Sequence, residues 1–221
     1  MIKNEGNIVV PNPTYIYRLL HLENLEALIN RLALHAPNHV PSDGLSYKPI
    51  HNLDVQARRM NATIPCGMRG VLHDYVPFYF GRWSPMLLQL KTGQVKGYNE
   101  GQEPLLYLVS TVQEIATQGL NFVYSDGHGV VAYTKWYDDL KDLDKVDWSI
   151  VDQHYWSDNS EDGDRKRRKQ AEFLVYQKYP WDLIKSIMVF NRKIKLKVEA
   201  IFCKFSNTIH PSIQIEPGWY Y

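Results

Sequence analysis

Cysteine is scarce in this chain of 221 residues: there are two, Cys66 and Cys203. Neither lies in a metal-ligand spacing, and two thiols do not make a disulfide framework, so the expected compartment is a reduced cytoplasm. No apolar run approaches the length of a membrane span, and no membrane association is expected. Met1 to Val10 carries Lys3, Asn4 and Glu5 and no long apolar core, so no signal peptide is expected. Internal repeats are absent. Charge of one sign is lacking too: 25 Lys and Arg against 24 Asp and Glu leave a net +1. That balance argues against an indiscriminate nucleic-acid coat protein. The chain has no phosphate-cradling glycine-rich loop, no nucleophile elbow and no zinc spacing, and its eight histidines are scattered. Several common enzyme classes are thereby excluded by motif.

What is present is apolar and aromatic. Hydrophobic residues make up 44% of the chain, too many for disorder over most of its length. The length suits one domain over 1–221, with 1–14 as a loose lead-in ending in Pro11-Asn12-Pro13. The 15 Tyr and 6 Trp mostly fill the core, but their flat faces can also stack on nucleobases. Periodicity predicts strands over 15–20, 76–80, 105–110, 122–124, from Glu172 onward, toward 183–190, and over 212–215. It predicts helices over 22–34, 50–60, 86–90, 112–118, 136–143 and 193–205. Residues 35–50, with Pro37, Pro41, Asp43-Gly44 and Pro49, form a loop long enough to be functional. Residues 158–168 read as a mobile charged loop. Helices and short strands mix without βαβ regularity, so the class is α+β.

The chain is organised around 165–181. Five cations, Arg165 to Lys169, stop abruptly, and Glu172 follows at the lip of the apolar segment Phe173-Leu174-Val175. Burial raises the pKa of such a carboxylate and the cations lower it. The plain reading is a surface ion pair. Other polar residues on apolar backgrounds have equally plain readings: Arg18 on an edge strand, Arg58-Arg59 on a solvated face, Asp74 capping a turn.

Taken together these segments resemble a family. Ile16-Tyr17-Arg18-Leu19-Leu20-His21-Leu22-Glu23-Asn24-Leu25 looks like the opening of the DarT toxins, which ADP-ribosylate DNA. Gly70-Val71-Leu72-His73-Asp74-Tyr75-Val76-Pro77-Phe78-Tyr79-Phe80, followed by Ser84-Pro85-Met86-Leu87, looks like their most recognisable block. Lys169-Gln170-Ala171-Glu172-Phe173-Leu174-Val175 is similar to the segment bearing their catalytic glutamate. Gln102-Glu103-Pro104, Phe122 to Asp126 and the closing Gly218 to Tyr221 also match, so the likeness runs in order over about residues 13 to 221.

The resemblance implies an ADP-ribosyltransferase-like fold, two small facing β-sheets with flanking helices around an NAD cleft. It implies a toxin that transfers ADP-ribose from NAD to a base of single-stranded DNA, releasing nicotinamide. The acceptor in most such toxins is thymidine in a short sequence context, and a sister branch modifies guanosine. The alternative from another class is a silent nucleic-acid-binding module on the same fold. The implied partner is a macrodomain antitoxin in the same bacterial cytoplasm, and the implied state is a monomer. NAD is the co-substrate and no metal is implied.

Glu172 and Arg59 carry the catalytic expectation. Glu172 stabilises an oxocarbenium-like sugar and Arg59 holds phosphate or polarises the base. Arg18, Leu20, His21, Asn24, Arg59, Tyr75 and Met86 carry the cofactor expectation. Arg18 stands where some members have histidine and Leu20 where some have a hydroxyl residue. For His21, capping the following helix is an equal alternative. Arg165, Arg167, Arg168 and Lys169 are expected to meet DNA phosphates, and Tyr155 and Trp156 to stack on a base. The alternative for the basic run is a loop neutralised by Asp158 to Asp164.

Overall fold

A computed structural model describes residues 9–221; the expected lead-in lies, for residues 1–8, outside the described residues. The strands are β1 (Tyr15–His21), β2 (Ala33–His35), β3 (Tyr75–Tyr79), β4 (Leu105–Thr111), β5 (Phe122–Ser125), β6 (Trp136–Tyr137), β7 (Glu172–Tyr176), β8 (Lys178–Pro180), β9 (Ser186–Val189) and β10 (Ser212–Ile215). The helices are α1 (Leu25–Arg31), α2 (Leu53–Arg59), α3 (Pro85–Lys91), α4 (Val112–Thr117), α5 (Trp148–Val151), α6 (Arg165–Arg168) and α7 (Arg192–Lys204). The class is α+β, as the mixture of periods predicts.

Among the described residues an eight-stranded sheet runs β10-β9-β4-β1-β3-β7-β5-β6, and β2 pairs with β8 in a separate ribbon. The large sheet is two four-stranded halves. Within one half β1 and β4 pair along their whole length, Tyr15↔Thr111 to His21↔Leu105. Within the other β3 and β7 pair from Tyr75↔Tyr176 to Tyr79↔Glu172. The halves meet at one register pair, Tyr17↔Tyr79. Beyond it the strands part, and the Pro77 carbonyl accepts from the Arg18 guanidinium (Nη1, 2.8 Å). The two sheets implied by the resemblance are these halves, joined at one pair, and a cleft opens where they diverge.

The alternation of a strand decides what each half buries. On β7, Phe173 and Val175 enter the main core with Phe78, Leu108, Leu28 and Val198. Leu174 faces a smaller cluster with Ile64, Leu72, Tyr75 and Val123. Each such apolar side chain contributes about 1.5–3 kcal/mol when fully buried. Glu172 shares the parity of Leu174, so its carboxylate leaves the core for the cleft. β7 lies between β3 and β5, paired with β3 as far as Tyr79↔Glu172 and with β5 as far as Tyr124↔Phe173.

Three expected elements differ. The helix predicted over 22–34 shortens to a 3-10 turn at Leu22–Asn24 and α1, because Leu32 turns left-handed (φ 52°) and ends it. The helix predicted over 136–143 is β6 and a 3-10 turn, Leu140–Lys145. Tyr137 stacks on Tyr124 of β5 across the sheet (5.4 Å), and the Asp139 carboxylate accepts from Lys141 N. Local side-chain bonding of this kind competes with a helix. The charged loop predicted over 158–168 ends in α6, where aspartates from several segments converge on its arginines.

Candidate active site

The cleft has a volume of about 710 Å³, within the range of small-molecule sites. Glu172 and Arg59 meet in its wall. Arg59 ends α2, a helix whose first turn is capped by Asn52, which accepts from Asp54 N and Val55 N. A cation in the last turn suits the helix dipole. Arg59 Nη1 donates to Glu172 Oε1 at 2.9 Å. Their exposures are 8% and 3%, so this is a buried ion pair and not the surface pair that spacing alone suggests. Burial works against the guanidinium charge, but the Glu172 carboxylate overrides it and holds Arg59 above its ordinary value.

A second donor comes from the turn after β5. Gly129 N donates to the same oxygen at 3.1 Å. A Cβ at Gly129 would lie 2.9 Å from Glu172 Oε1 and 3.1 Å from Trp136, so only glycine lets this backbone come so close. The Ser125 hydroxyl donates to Gly127 O (2.6 Å) and accepts from Glu172 N (3.3 Å), tying turn to strand. Oε1 is therefore occupied twice, and among the described residues no hydrogen bond is made to Oε2.

Arg18, Leu20, Asn24, Tyr75 and Met86 line the cleft with Arg59 and Glu172. Arg18 is pushed down to about 10, chiefly by burial and further by Arg59 nearby. Two of the others are committed elsewhere. The Asn24 side chain donates to Lys48 O (2.9 Å) and accepts from Lys48 N (2.7 Å), so it fastens the 35–50 loop. The Tyr75 hydroxyl donates to Arg69 O (2.8 Å), and only its ring is offered to the cleft.

His21 is absent from the lining. Its Nδ1 accepts from Glu23 N (3.2 Å), the capping role weighed for it. Nε2, which then carries the proton, lies 3.3 Å from Glu100 Oε2. His21, Glu23 and Glu100 form a cluster of metal-ligand type, but the Lys48 ammonium already bridges both glutamates. A ring whose Nδ1 accepts and whose Nε2 carries the proton has no lone pair for a metal.

The structure engages most of the expected DNA-contacting residues within the protein itself. Lys169 is 1% exposed, and its ammonium donates to Val151 O (2.6 Å) and Gln153 O (2.7 Å); burial pushes it down to about 7. Trp156 is 8% exposed and its Nε1 donates to the Tyr221 hydroxyl (2.6 Å), so its ring packs in the core. Arg167 pairs with Asp126 and Asp164, and Arg168 with Asp147 and Asp162. Arg165 donates to Ser157 O and Tyr155 O (3.1 Å each). Tyr155, 82% exposed, is free but does not line the cleft. The neutralised-loop alternative describes Arg167 and Arg168, with Asp162 and Asp164 from that range joined by Asp126 and Asp147 from outside it.

Other residues of the cleft were not among the expected site residues. Arg58 and Lys166 are exposed, line it, and make no side-chain ion pair among the described residues. His51, His73 and His128 line it too, each lowered first by burial; Arg18 adds to this at His51, and Arg59 at His73 and His128. All three are neutral at pH 7. Tyr79 is pushed up to about 12 by burial and by Glu172, and stays protonated. The proline-rich loop was the one signal for Tyr47, which it carries into the lining. Nothing in scattered single histidines signals convergence.

NAD fits this donor set. Arg18 Nε, Arg59 Nη2 and the Tyr47 hydroxyl are buried without a protein partner, and all three residues line the cleft. Buried donors without acceptors are costly. The phosphates and ribose hydroxyls of a dinucleotide supply the missing oxygens.

Residues 17–221 match the family model described as ssDNA thymidine ADP-ribosyltransferase, DarT. The DNA ADP-ribosyl transferase of Thermus sp. (strain 2.9) is 39% identical over 211 residues, 96% of this chain and 98% of that protein. That of Thermus aquaticus is 37% identical over 217 residues, 98% and 93% of the two chains. Among solved structures, Thermus sp. 2.9 DarT in complex with ADP-ribosylated ssDNA superposes with a TM-score of 0.89 at 38% identity, covering 96% of this chain and 99% of the other. The same protein in complex with NAD+ gives 0.85 at 37% identity, covering 96% and 100%.

Proposed function

Since the chain belongs to the DarT family of ssDNA thymidine ADP-ribosyltransferases, we propose that it transfers ADP-ribose from NAD to thymidine in single-stranded DNA, with Glu172 and Arg59 at the reacting centre. It is an NAD-dependent DNA ADP-ribosyltransferase. The observation that carries the residue assignment is the buried Arg59–Glu172 pair in the cleft, with Gly129 N on the same carboxylate oxygen. NAD supplies the glycosidic bond that breaks and the ribosyl carbon that is attacked.

The protein's own groups divide the work as follows. Glu172 carries its negative charge into a water-poor wall, where a positive sugar is stabilised far more than in water. Arg59 Nη1 and Gly129 N hold Oε1, which leaves Oε2 to face the ribose or to take the proton from the base nitrogen. Arg18, Arg59 Nη2 and Tyr47 offer donors to phosphate and ribose oxygens. The neutral His128, beside Gly129, is a second group able to accept a proton in that wall. A single strand suits a cleft, because thymine N3 is paired in a duplex and the base would have to be flipped.

No helix among the described residues is long and apolar enough to cross a membrane. We place the enzyme in a reducing cytoplasm, supported by its two unpaired thiols. The macrodomain antitoxin remains the partner expected from the family resemblance.

Pure protein incubated with NAD and oligonucleotides differing at one base tests the reaction by mass. The expected result is a gain of one ADP-ribose, lost when thymidine is replaced. A gain that follows guanosine would assign the other acceptor. Intact NAD with unchanged oligonucleotides would leave a binding module only.

The cations free to meet acceptor phosphates are Arg58 and Lys166, not the rest of the basic run. Lys166→Ala and Arg58→Ala are expected each to weaken oligonucleotide binding and to reduce the slope of log K against log salt by about 0.7. Fluorescence anisotropy between low and moderate salt measures this, and unchanged slopes in both variants would remove these two side chains from the strand's path.

A further inference from the structure

Arg167 lies in the run expected to meet DNA, yet each of its three guanidinium nitrogens has a partner inside the protein. Nη1 donates to Asp126 Oδ1 (2.7 Å) and Thr134 Oγ1 (3.5 Å), and Nε and Nη2 donate to Asp164 (2.8 and 2.7 Å). The plane lies over the Tyr133 ring, 5.0 Å from its centre. Its charge is therefore matched by carboxylates of the protein itself, and Arg168 Nε also lies 3.6 Å from Asp164.

All of these partners except Asp164 belong to one turn, 126–134. The main chain of Arg167 grips the same turn, its carbonyl accepting from His128 N (3.0 Å). Gly127 lies so close that an added Cβ would run into the guanidinium. At the far end Thr134 Oγ1 donates to His128 O (2.8 Å). Between these fixed points is Gly129, whose N–H reaches Glu172 Oε1. The segment that carries Glu172 thus also carries the brace that holds its second donor.

We propose that Arg167 is a positioning residue for the transfer reaction: it braces the 126–134 turn so that Gly129 N–H and His128 stand against the Glu172 carboxylate, and it does not contact the acceptor strand. The proposal rests on the reading of Glu172 as the reacting carboxylate. A fork that bonds two acceptors at once is required, so a lysine ammonium does not replace it.

The test uses Arg167→Gln, Arg167→Lys, Thr134→Val and the Arg167→Gln/Thr134→Val double variant. The measurements are kcat at saturating NAD and oligonucleotide, KM for oligonucleotide, the salt slope of binding, and a thermal melt. Displacement of a group by about 1 Å can cost about a hundredfold in rate. Arg167→Gln and Arg167→Lys are therefore both expected to lose about 10- to 100-fold in kcat, with KM and salt slope unchanged. Thr134→Val, which releases the far end of the turn, is expected to lose kcat in the same way. The double variant should lose less than the product of the two losses, because both act through one turn. A near-normal kcat with raised KM and a reduced salt slope in Arg167→Gln would make Arg167 a phosphate contact and overturn the proposal, as would multiplicative losses in the double variant. If Arg167→Gln does not fold, the kcat of Thr134→Val decides alone: a loss supports the brace, and wild-type kcat overturns it. Absence of transfer by the wild type would instead sink the functional reading.

Discussion

Glu172→Gln is expected to lower transfer by about a thousandfold, the scale of losing a charged catalytic group or an oxyanion-type donor. Glutamine keeps the shape, and its amide oxygen can still accept from Arg59 and Gly129, the two groups that hold Oε1. What it loses is charge. A carboxylate in a wall 3% exposed acts on a developing positive sugar at low effective dielectric, where the charge matters most. Because both hydrogen bonds survive in form, the fold should persist, with some loss of stability from the buried guanidinium left without a counter-charge. The mass of the oligonucleotide product reports activity and circular dichroism reports the fold. A folded variant with transfer within tenfold of wild type would remove Glu172 from the chemistry.

Arg59 separates stability from function in a second pair of variants. Arg59→Ala leaves the Glu172 carboxylate buried and unpaired, and breaking such a pair costs about 3–5 kcal/mol. A large drop in melting temperature is expected along with loss of transfer. Arg59→Lys keeps a cation near Oε1 but removes the second arm, the Nη2 that is buried without a protein partner. It should melt close to wild type while transfer falls by about a hundredfold, because an ammonium does not reproduce a bidentate fork. Melts with and without NAD make the distinction sharp. The upward shift that NAD gives the wild type should shrink in Arg59→Lys. A normal shift and normal transfer in that variant would show that the second arm has no ligand.

The expected strands at 105–110 and 212–215 appear as β4 and β10, because a long apolar run and a short alternating one each carry their own period. Trp136 and Tyr137 misled for the opposite reason. Their environment comes from Tyr124 on another strand, which no local period reports. The motif words around Tyr75 and Glu172 located the cleft wall, and the opening word, Ile16 to Leu25, brought His21 and Asn24 with it. The two differ once their hydrogen bonds are known. Asn24 faces the cleft but spends its amide on Lys48, while His21 caps a turn outside the lining.

By itself the sequence determined the class and the family, since these reside in short words whose residue types admit few readings. Only the tertiary structure decided which cations are exposed at the cleft and which are neutralised within the protein. Arg167 meets an aspartate 41 residues away and Arg168 one 21 residues away, while Lys166, between Arg165 and Arg167 in the same run, is left exposed at the cleft. Arg59 finds Glu172 across 113 residues of chain. Coulomb's law acts through distance in space and through the dielectric between the groups. Neither is a property of separation along the chain, so a run of like charges in sequence is not yet a charged surface.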